Sequence, residues 1–424
     1  MKYIERLCDR QISAYLKIFG AVLIEGPKWC GKTCSAKRQA ASSFELADPA
    51  NNFQNRALAR MDMEHVLTGK KPRLIDEWQE VPAIWDGVRY RVDQVKGKGQ
   101  YLLTGSSTPN NLAKIHSGAG RFGRVLLQTM SLQEMGISTG EASLKKLLQG
   151  KFPSQKLAIP GKLKVAQIVS LVSKGGWPGL VSSSVKASLE ALRGYVDILT
   201  REDLSKIDGS RRDPAKIMAL LQSLARNTAT LVKKEVIRND IAQFSSFQVD
   251  ANTVGEYLKL LRRVFALREI PPWDPPLKST VRLRAAPKRM LTDPSLAVAA
   301  LRATPDALKT DLKLLGNLFE SLVLRDLSVY AASNRAALFH YHDNSDLEVD
   351  AIIQGENGTW GGIEIKLGYF GEEQAADSLK RLVKKLSETN QKPPNFLAAV
   401  IGVGGVLKKR DDGVWVIPVD CLGA

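Results

Sequence analysis

One stretch near the start of the chain reads Ala21-Val22-Leu23-Ile24-Glu25-Gly26-Pro27-Lys28-Trp29-Cys30-Gly31-Lys32-Thr33. A short apolar run of β type leads into the pattern G-x-x-x-x-G-K-T, and residues that can form a helix follow. This order is typical of a P-loop, whose backbone N–H groups wrap phosphates. We expect Lys32 to reach the β- and γ-phosphate oxygens of ATP and the Thr33 hydroxyl to ligate Mg²⁺. The predicted nucleotide-binding residues of the loop are Gly26, Pro27, Lys28, Trp29, Cys30, Gly31, Lys32, Thr33 and Cys34.

Two acidic residues end a second predicted strand, in the sequence P-R-L-I-D-E at residues 72–77. Asp76 is predicted to contact the nucleotide and to hold the Mg²⁺ shell, and Glu77 to polarise the attacking water. A third predicted strand, residues 101–103, ends in hydroxyl residues, where Thr104 or Ser106 can sense the γ-phosphate. The alternatives are a solvated strand end for the acidic pair and a plain strand-to-turn exit for the hydroxyls.

Two arginines, Arg121 and Arg124, lie in the sequence G-R-F-G-R at residues 120–124, which we interpret as a loop beyond the third strand. From such a loop an arginine can act in trans and stabilise the γ-phosphate charge in a neighbouring subunit. This interpretation predicts a homo-oligomer. The alternative is a chance pair, because the chain contains 61 lysines and arginines.

The composition is that of an ordinary globular protein of 424 residues, with 44% hydrophobic and 25% charged residues, and its length predicts two to four domains. The net charge of +17 favours polyanionic partners, either nucleic acid or an anionic membrane face. No apolar stretch is long enough to span a bilayer and no secretion signal is evident, so we expect no membrane partner and a cytoplasmic location. The four cysteines show no zinc spacing and are interpreted as reduced thiols.

The order of predicted elements divides the chain. Residues 19–105 alternate β-type and helical runs, which predicts an α/β fold with a parallel P-loop sheet. Helical spacing at residues 217–224, 236–241 and 250–265 suggests a helix-turn-helix or winged-helix unit, and the alternative is a three-helix unit used only for packing. A basic cluster follows at residues 262–289. Its predicted contacts to DNA phosphates are Arg262, Arg263, Arg268, Lys278, Arg282 and Arg284.

A second group of polar residues lies in the last part of the chain, a predicted small mixed α/β domain. Glu320 on a helix, Asp350 on a hairpin and the E-x-K pair Glu364 and Lys366 on a strand resemble the core of PD-(D/E)XK nucleases. In that interpretation Glu320, Asp350 and Glu364 bind Mg²⁺ and Lys366 activates a water for phosphodiester attack. The alternative is a solvated strand face.

Two histidines, His340 and His342, flank Tyr341 on a predicted strand near this group. Two histidines at this spacing can suggest a metal site. No third ligand has a matching spacing, so we interpret the segment as a plain surface strand.

Taken in order, the motifs resemble those of a large prokaryotic family of two-part ATP-binding proteins. Residues 1–140 are similar to its AAA-type ATPase domain, with G-A-G-R at 118–121 and M-S-L-Q-E at 130–134 matching the segment after the third strand. From about Gly175 to Leu367 the chain is similar to the family's domain of unknown function, DUF4143. The matching points there are G-G-W-P at 175–178, the three-helix segment through Tyr257, P-K-R-M-L-T-D at 287–293, E-V-D at 348–350 and E-I-K at 364–366.

The resemblance implies an AAA-type ATPase domain at 1–140, a helical lid or linker at 141–200, a winged-helix-like region at 201–290 and a restriction-nuclease-like α/β domain at 291–424. It implies ATP and ADP as ligands with Mg²⁺. Two functions are compatible with it. One is an ATP-dependent protein that acts on DNA, and the other is a nucleotide-switched oligomeric interaction protein whose nuclease-like domain is catalytically inactive.

Overall fold

The computed structural model describes residues 3–108, 116–151, 158–207, 209–210, 212–244, 249–274, 286–387 and 392–424. The chain forms two compact units. Unit 1 contains Met1–Thr129, Arg201–Arg212 and Leu258–Ala266, and unit 2 contains Met130–Thr200, Asp213–Tyr257 and Leu267–Ala424. Within the described ranges, no helix is both long and apolar enough to cross a membrane.

Unit 1 is built on a parallel sheet. Its strands are β1 (Ala21–Glu25), β2 (Ser42–Glu45), β3 (Arg73–Asp76), β4 (Tyr101–Gly105) and β5 (Phe122–Leu126). Their order across the sheet is β2-β3-β4-β1-β5, and every pair is parallel. The helices of this part are α1 (Leu7–Leu16), α2 (Lys32–Gln39), α3 (Ala50–Met61), α4 (Met63–Leu67) and α5 (Ala83–Val95). The predicted parallel α/β sheet is confirmed.

The first four residues of β1, Ala21–Ile24, are apolar because both faces of the sheet are covered. Successive side chains point to opposite faces, so Ala21 and Leu23 pack into one core cluster, with Trp78 and Trp85, while Val22 and Ile24 pack into another. These four side chains are fully buried. The strand is therefore held inside the unit, between β4 and β5, and it fixes the point from which the glycine-rich turn leaves the sheet.

The middle of the chain is largely helical. Its elements include the short strands β6 (Ala142–Ser143) and β7 (Ile159–Pro160). The helices are α6 (Leu144–Leu148), α7 (Val165–Lys174), α8 (Val185–Ile198), α9 (Leu204–Lys206), α10 (Pro214–Arg226), α11 (Lys234–Phe244) and α12 (Ala251–Arg263). Asp250 caps α12, since its carboxylate accepts from the backbone N–H of Thr253 at 2.6 Å. An antiparallel ribbon of β8 (Leu267–Ile270) and β9 (Lys288–Leu291) follows.

The turn at Gly175–Trp177 is a buried anchor of unit 2. A Cβ on Gly176 would lie 2.1 Å from the carbonyl oxygen of Met130, so only glycine fits there. The Gly176 N–H donates to Asp293 Oδ2 at 3.1 Å. Asp293 also accepts from the buried guanidinium of Arg325 at 3.1 Å. This turn is consequently fixed by buried hydrogen bonds.

The last part of unit 2 is a mixed sheet. Its helices are α13 (Pro294–Ala300), α14 (Pro305–Thr310), α15 (Leu312–Ser333) and α16 (Glu372–Ser387). Its strands are β10 (Ala337–His342), β11 (Glu348–Gln354), β12 (Trp360–Gly368), β13 (Phe396–Val403), β14 (Val406–Lys409), β15 (Trp415–Pro418) and β16 (Leu422–Gly423). Across the sheet the order is β10-β11-β12-β13-β15-β14-β7, and β16 pairs with β6. The predicted helical region followed by a mixed α/β domain is confirmed.

Candidate functional site

The glycine-rich turn connects β1 to α2. Gly26 has a φ of +155° and a Cβ there would lie 2.0 Å from the carbonyl oxygen of Leu127, so the backbone passes too close for any other residue. Gly31 caps α2 in the left-handed region, at a φ of +99°. The N-terminus of α2 therefore opens directly onto the turn, and its unpaired N–H groups are available to an anion.

Lys32 and Thr33 form the first turn of α2. The Lys32 ammonium is buried and donates to the carbonyl oxygen of Pro27 at 2.8 Å, inside the turn. The Thr33 hydroxyl donates to Asp76 Oδ1 at 2.9 Å. The Thr104 hydroxyl donates to the same Asp76 oxygen. Side chains from α2 and from the carboxyl ends of β3 and β4 thus meet at one edge of the parallel sheet, where ligands of such sheets bind.

Asp76 provides a test of whether Mg²⁺ fits these residues. Burial raises the pKa of its carboxyl group, and hydrogen bonds from Thr104 and Thr33 partly offset that effect. The carboxylate and the Thr33 hydroxyl are the hard oxygen ligands that Mg²⁺ prefers, and they face each other directly. The residues present therefore fit the ion: Thr33 and Asp76 would hold it, and it would neutralise phosphate charge.

Glu77 is held in a fixed orientation beside this group. Its backbone is left-handed, with a φ of 58°, and its N–H donates to Thr104 Oγ1 at 3.1 Å. The Glu77 carboxylate accepts from the Ser106 hydroxyl at 2.9 Å and from the Gln79 amide. Gln79 was not expected at the site. No sequence pattern indicates it, because its role depends on the unusual backbone of Glu77.

Cys30 belongs to the framework of the loop. Its side chain is fully buried and lies 3.6 Å from the Leu127 carbonyl oxygen, and burial raises the pKa of the thiol. Its own carbonyl oxygen accepts from Arg6 at 2.9 Å. Arg6 also donates to the Gln128 carbonyl oxygen at 2.7 Å, so this buried guanidinium ties the turn to the chain after β5. Sequence reasoning missed Arg6, which lies far from the motif. Cys34, in contrast, is exposed.

Lys28 is engaged by a carboxylate of the protein. Its ammonium lies 2.6 Å from Asp203 Oδ1, and the Asp203 side chain is almost fully buried. Asp203 belongs to the segment Arg201–Arg212 of unit 1, which is 175 residues downstream of Lys28. Trp29, next in the loop, is exposed. The structure therefore adds Asp203 to the surroundings of the P-loop.

The two arginines differ in their backbone setting. Arg121 lies in the turn before β5, and its guanidinium donates to Asp93 Oδ1 at 2.8 Å. Arg124 lies within β5 and pairs with Glu25 Oε2 at 3.5 Å. The expectation of a loop is wrong for Arg124, because residues 122–126 pair with β1 as a regular parallel strand. Both side chains are about half exposed.

The structure brings together the predicted acidic residues of unit 2, around a cation that the sequence did not indicate. The Lys288 ammonium lies 2.6 Å from Glu320 Oε1, 3.0 Å from Glu348 Oε1 and 3.3 Å from Asp350 Oδ1. Its side chain is only 1% exposed. Burial and the Asp350 charge raise the pKa of Glu320, whereas Lys288 helps to lower that of Asp350. Lys288 is therefore a buried counter-charge that three carboxylates share, of which Glu348 is 43% exposed.

Glu364 and Lys366 lie on β12, next to this cluster. Lys366 Nζ is 2.7 Å from Glu364 Oε2 and 4.0 Å from Asp350 Oδ2. The second Asp350 oxygen also accepts from the Ile365 N–H at 2.8 Å. Burial raises the pKa of Glu364. In the part of the chain that the structure describes, no three or more histidine, cysteine, aspartate or glutamate side chains are arranged to hold a metal ion.

The predicted DNA contacts of the basic cluster are only partly described. Lys278, Arg282 and Arg284 lie outside the described residues. The Arg263 guanidinium donates to the Thr108 carbonyl oxygen at 2.7 Å. Arg268 donates to the Thr292 carbonyl oxygen at 3.4 Å, and burial lowers its pKa to about 10. Arg263 and Arg268 therefore bond within the chain, and their contact with DNA phosphates stays a prediction.

His340 is buried, so the expectation of a plain surface strand is wrong for it. The reason is that β10 lies against the segment around Pro271 and Pro272, and His340 Nε2 contacts the Ala286 carbonyl oxygen at 3.1 Å. Burial, with a smaller effect of the Lys288 charge, lowers the pKa of His340 from 6.5 to about 4. His340 is therefore neutral in the folded protein at pH 7.

This burial predicts a pH dependence of stability. Between about pH 6.5 and pH 4 the unfolded chain binds a proton at His340 that the folded chain does not, so folding stability should fall as the pH drops through this window. The loss should be about 3 kcal/mol at most. Denaturant unfolding at both ends of the window should show a shallower pH dependence for His340→Gln than for the parent chain. An unchanged dependence in the variant would contradict the prediction.

Comparison with known proteins assigns family domains to three parts of the chain. Residues 19–136 match the family model of the AAA domain AAA_14. Residues 166–307 match DUF8612 and residues 315–422 match DUF4143, both domains of unknown function. With its parallel sheet and its glycine-rich turn, the chain is therefore a P-loop protein of the AAA class. More particularly, it joins a match to AAA_14 in its N-terminal part to a match to DUF4143 in its C-terminal part, which is the two-part arrangement that the resemblance predicted.

The predicted extent of DUF4143 was too long at its start. The segments G-G-W-P at 175–178 and P-K-R-M-L-T-D at 287–293 fall within the DUF8612 match, and DUF4143 begins at residue 315. Both segments converge on Asp293, which accepts from Gly176 and Arg325. Features of two adjacent family domains were thus attributed to one.

Two mycobacterial relatives and several solved structures are similar to the chain. The uncharacterised proteins Mb2031c of Mycobacterium bovis and Rv2008c of Mycobacterium tuberculosis are each 26% identical over 351 residues, which is 81% of this chain and 70% of theirs. The Walker-type ATPase PABY2304 of Pyrococcus abyssi has a TM-score of 0.43 at 13% identity and covers 69% of this chain and 94% of its own. The Aeropyrum pernix ORC1 protein in complex with DNA has a TM-score of 0.28 at 12% identity. The match covers 72% of this chain and 95% of the ORC1 chain.

Proposed function

We propose that this protein hydrolyses ATP with Mg²⁺ in unit 1 and acts on DNA through unit 2. The observation that carries the ATPase proposal is the convergence of Thr33 and Thr104 on the buried carboxylate of Asp76, beside Lys32. Glu77, held by Ser106 and Gln79, is positioned next to this group to orient the attacking water. Four cysteines without a disulfide support a reducing, cytoplasmic compartment.

The order of elements in unit 2 supports a nuclease-like core. Helix α15, strands β10, β11 and β12, helix α16 and strand β13 follow one another, with antiparallel pairing up to β12 and parallel pairing of β12 with β13. Asp350 on β11 and the pair Glu364 and Lys366 on β12 are side by side. Divalent metal bound by the carboxylates would supply the charge that phosphodiester attack needs.

The helices before this core support DNA binding. Helices α10, α11 and α12, followed by the antiparallel ribbon of β8 and β9, have the order of a winged-helix unit. The net charge of +17 favours phosphate contacts. We further propose the four-part division into residues 1–140, 141–200, 201–290 and 291–424, with the third part as the winged helix.

Cleavage of DNA is the direct test of the nuclease proposal. The purified chain is incubated with single- and double-stranded DNA and Mg²⁺ or Mn²⁺, with and without ATP. We expect cleavage that is lost in both Asp350→Ala and Lys366→Ala, since each removes a different part of the site. The matched control is Lys309→Ala, because Lys309 forms an exposed ion pair with Asp306. Absence of cleavage by the parent chain under every condition would refute the nuclease assignment.

DNA should also affect the ATPase. If the two activities are coupled, DNA should stimulate ATP turnover, and DNA binding should weaken steeply as salt rises because counterions are released from phosphates. If DNA does not change the rate of ATP turnover, the second candidate function is favoured.

The second candidate function is a nucleotide-switched oligomeric interaction protein with an inactive nuclease-like domain. The observation that favours it is Lys288, whose ammonium lies between the carboxylates that would bind metal. A lysine ammonium at this position balances the charge of these carboxylates in place of a metal ion, and it does not catalyse phosphodiester cleavage. Light scattering measures whether ATP changes the oligomer mass. A change in mass with ATP, together with an ATP turnover rate that DNA does not alter, would support this function over the first.

An arginine supplied in trans predicts a specific kinetic defect. Arg121→Ala or Arg124→Ala should lower ATP turnover by about 1000-fold or more while leaving ATP affinity nearly unchanged, because such an arginine acts on the transition state. The measurement is turnover and equilibrium ATP binding for each variant. Arg91→Ala is the matched control, since Arg91 is similarly exposed and pairs with Glu64. Loss of ATP binding in both variants would refute the role.

A further inference from the structure

Two aromatic rings are exposed immediately after the E-x-K strand. Tyr369 and Phe370 form a single 3₁₀ turn between β12 and α16. Phe370 is 85% exposed and Tyr369 49%. Their ring centroids are 3.9 Å apart with an interplanar angle of 33°, so the rings lie against each other. Exposing a large ring costs hydrophobic free energy, and the pair is therefore a feature that the core does not explain.

The turn that carries this aromatic pair packs against Lys366 through Gly371. The following residue, Gly371, approaches Lys366 so closely that a Cβ would lie 2.7 Å from Lys366 Cγ. On the other side, a Cβ on Gly404 would lie 2.8 Å from the Tyr369 ring. Two glycines thus allow the turn to sit tightly between Lys366 and the end of β13. The turn that carries the rings is accordingly held beside Lys366.

The acidic residues beside the rings are neutralised. Glu372 lies 3.0 Å from Lys408 and 2.8 Å from Arg410, and Glu373 lies 2.8 Å from Arg410. Arg410 also lies 3.2 Å from Asp412, which is 3.3 Å from Lys380, so each of these acids is paired with at least one cation. A polyanion can approach the rings without strong local repulsion.

We propose that Tyr369 and Phe370 are a base-stacking platform for single-stranded nucleic acid. This inference rests on the proposed action of unit 2 on DNA and adds the substrate class. A base in a duplex has both faces covered by its neighbours, whereas an unpaired base offers its face to an aromatic ring. A base stacked on Phe370 places its phosphate within the reach of the adjacent Lys366 side chain.

A nucleic-acid base fits this surface better than a protein partner. A stable protein interface needs roughly 800 Å² on each side, which two rings cannot supply. A single base covers an area similar to that of one ring, and stacking onto aromatic side chains tolerates any base sequence.

The test is the affinity of the full chain for a fluorescent oligothymidylate, for a duplex and for an abasic oligonucleotide of the same length. Phe370→Ala and Tyr369→Ala should weaken oligothymidylate binding about 10-fold, which is the order expected for one lost base stack. Binding of the duplex and of the abasic strand should not change. The salt dependence should also be unchanged, because no phosphate contact is lost. Phe370→Trp should keep the affinity of the parent.

Tyr90→Ala is the control, since Tyr90 is a similarly exposed aromatic residue of unit 1. Unchanged oligothymidylate binding by Phe370→Ala would overturn the platform, and so would an equal loss on the abasic strand. A change in oligomer mass in Phe370→Ala would show that the rings pack on another protein surface. If the parent chain binds no nucleic acid at all, the proposed action on DNA fails together with the platform.

Discussion

The Lys32→Ala variant should lose ATP binding, with an affinity roughly 100-fold or more below that of the parent chain, because it removes a buried cation that pairs with phosphate. In the structure the Lys32 ammonium is buried and donates to the carbonyl oxygen of Pro27, so it already points into the turn where phosphates would lie. Equilibrium binding of a fluorescent ATP analogue measures the effect directly. ATP turnover should disappear in parallel.

The matched control for this prediction is Lys37→Ala. Lys37 lies on the same helix and forms an ion pair with Glu45 at 2.6 Å, with both side chains exposed. This variant should bind ATP normally, because an exposed pair contributes little. Normal turnover in Lys32→Ala would refute the assignment of the P-loop, and a defect of the same size in Lys37→Ala would point to general damage of α2.

The P-loop could be predicted from the sequence because its chemistry is local. The strand before it, the glycines and Lys32 lie within one short segment, and the parallel sheet then brings the ends of β3 and β4 to the same edge. The elements that carry the acidic residues of the C-terminal domain could also be predicted. Glu320 lies on α15, Asp350 on β11 and Glu364 on β12, as the helix, hairpin and strand expected for them.

The sequence did not indicate partners that come from distant segments. Asp203 pairs with Lys28, and Lys288 pairs with Glu320 and Asp350. These partners are far apart in the sequence, and the periodicity of a helix or strand does not predict such contacts. Arg6 supports the P-loop from before β1. Each of these contacts depends on tertiary packing, in which a charge is buried only because an opposite charge from elsewhere meets it.

The sequence predicted the wrong environment for two polar residues, His340 and Arg124. His340 alternates with Tyr341 as an exposed residue would, yet it is buried beneath the segment near Ala286. Arg124 follows a glycine and looks like part of a loop, but the alternation of residues 122–126 continues the sheet. Alternation predicts the period of a strand, and it does not by itself predict which face is covered.

Lys288→Met should destabilise unit 2 by about 3–5 kcal/mol, the loss expected when a buried ion pair keeps only one sign of charge. The ammonium of Lys288 faces Glu320, Glu348 and Asp350 within 3.3 Å. Methionine fills a similar volume, so the charge is the main change. Denaturant unfolding measures the loss, and Lys309→Met, at an exposed pair, should cost less than about 1 kcal/mol.

The same variant distinguishes the two proposed functions by a measurement other than activity. Without the ammonium, the carboxylates of Glu320, Glu348 and Asp350 that face it can take a divalent cation in its place, and a ligand that binds only the folded state raises its stability. Mn²⁺ should therefore restore part of the lost stability in Lys288→Met. The parent chain should gain less, since its Lys288 competes for the same oxygens.

The destabilisation caused by Lys288→Met should depend on pH, because the carboxylates around Lys288 can take up protons. Burial already raises the pKa of Glu320, and the loss of Lys288 removes an effect that lowers it, so Glu320 should take up a proton more readily in the variant. The destabilisation should consequently shrink as the pH falls, because a protonated carboxyl needs no counter-charge. A variant as stable as the parent at every pH would show that Lys288 does not hold these charges. A loss that Mn²⁺ cannot reverse would mean that the carboxylates form a structural cluster, which favours the nucleotide-switched interaction protein over the nuclease.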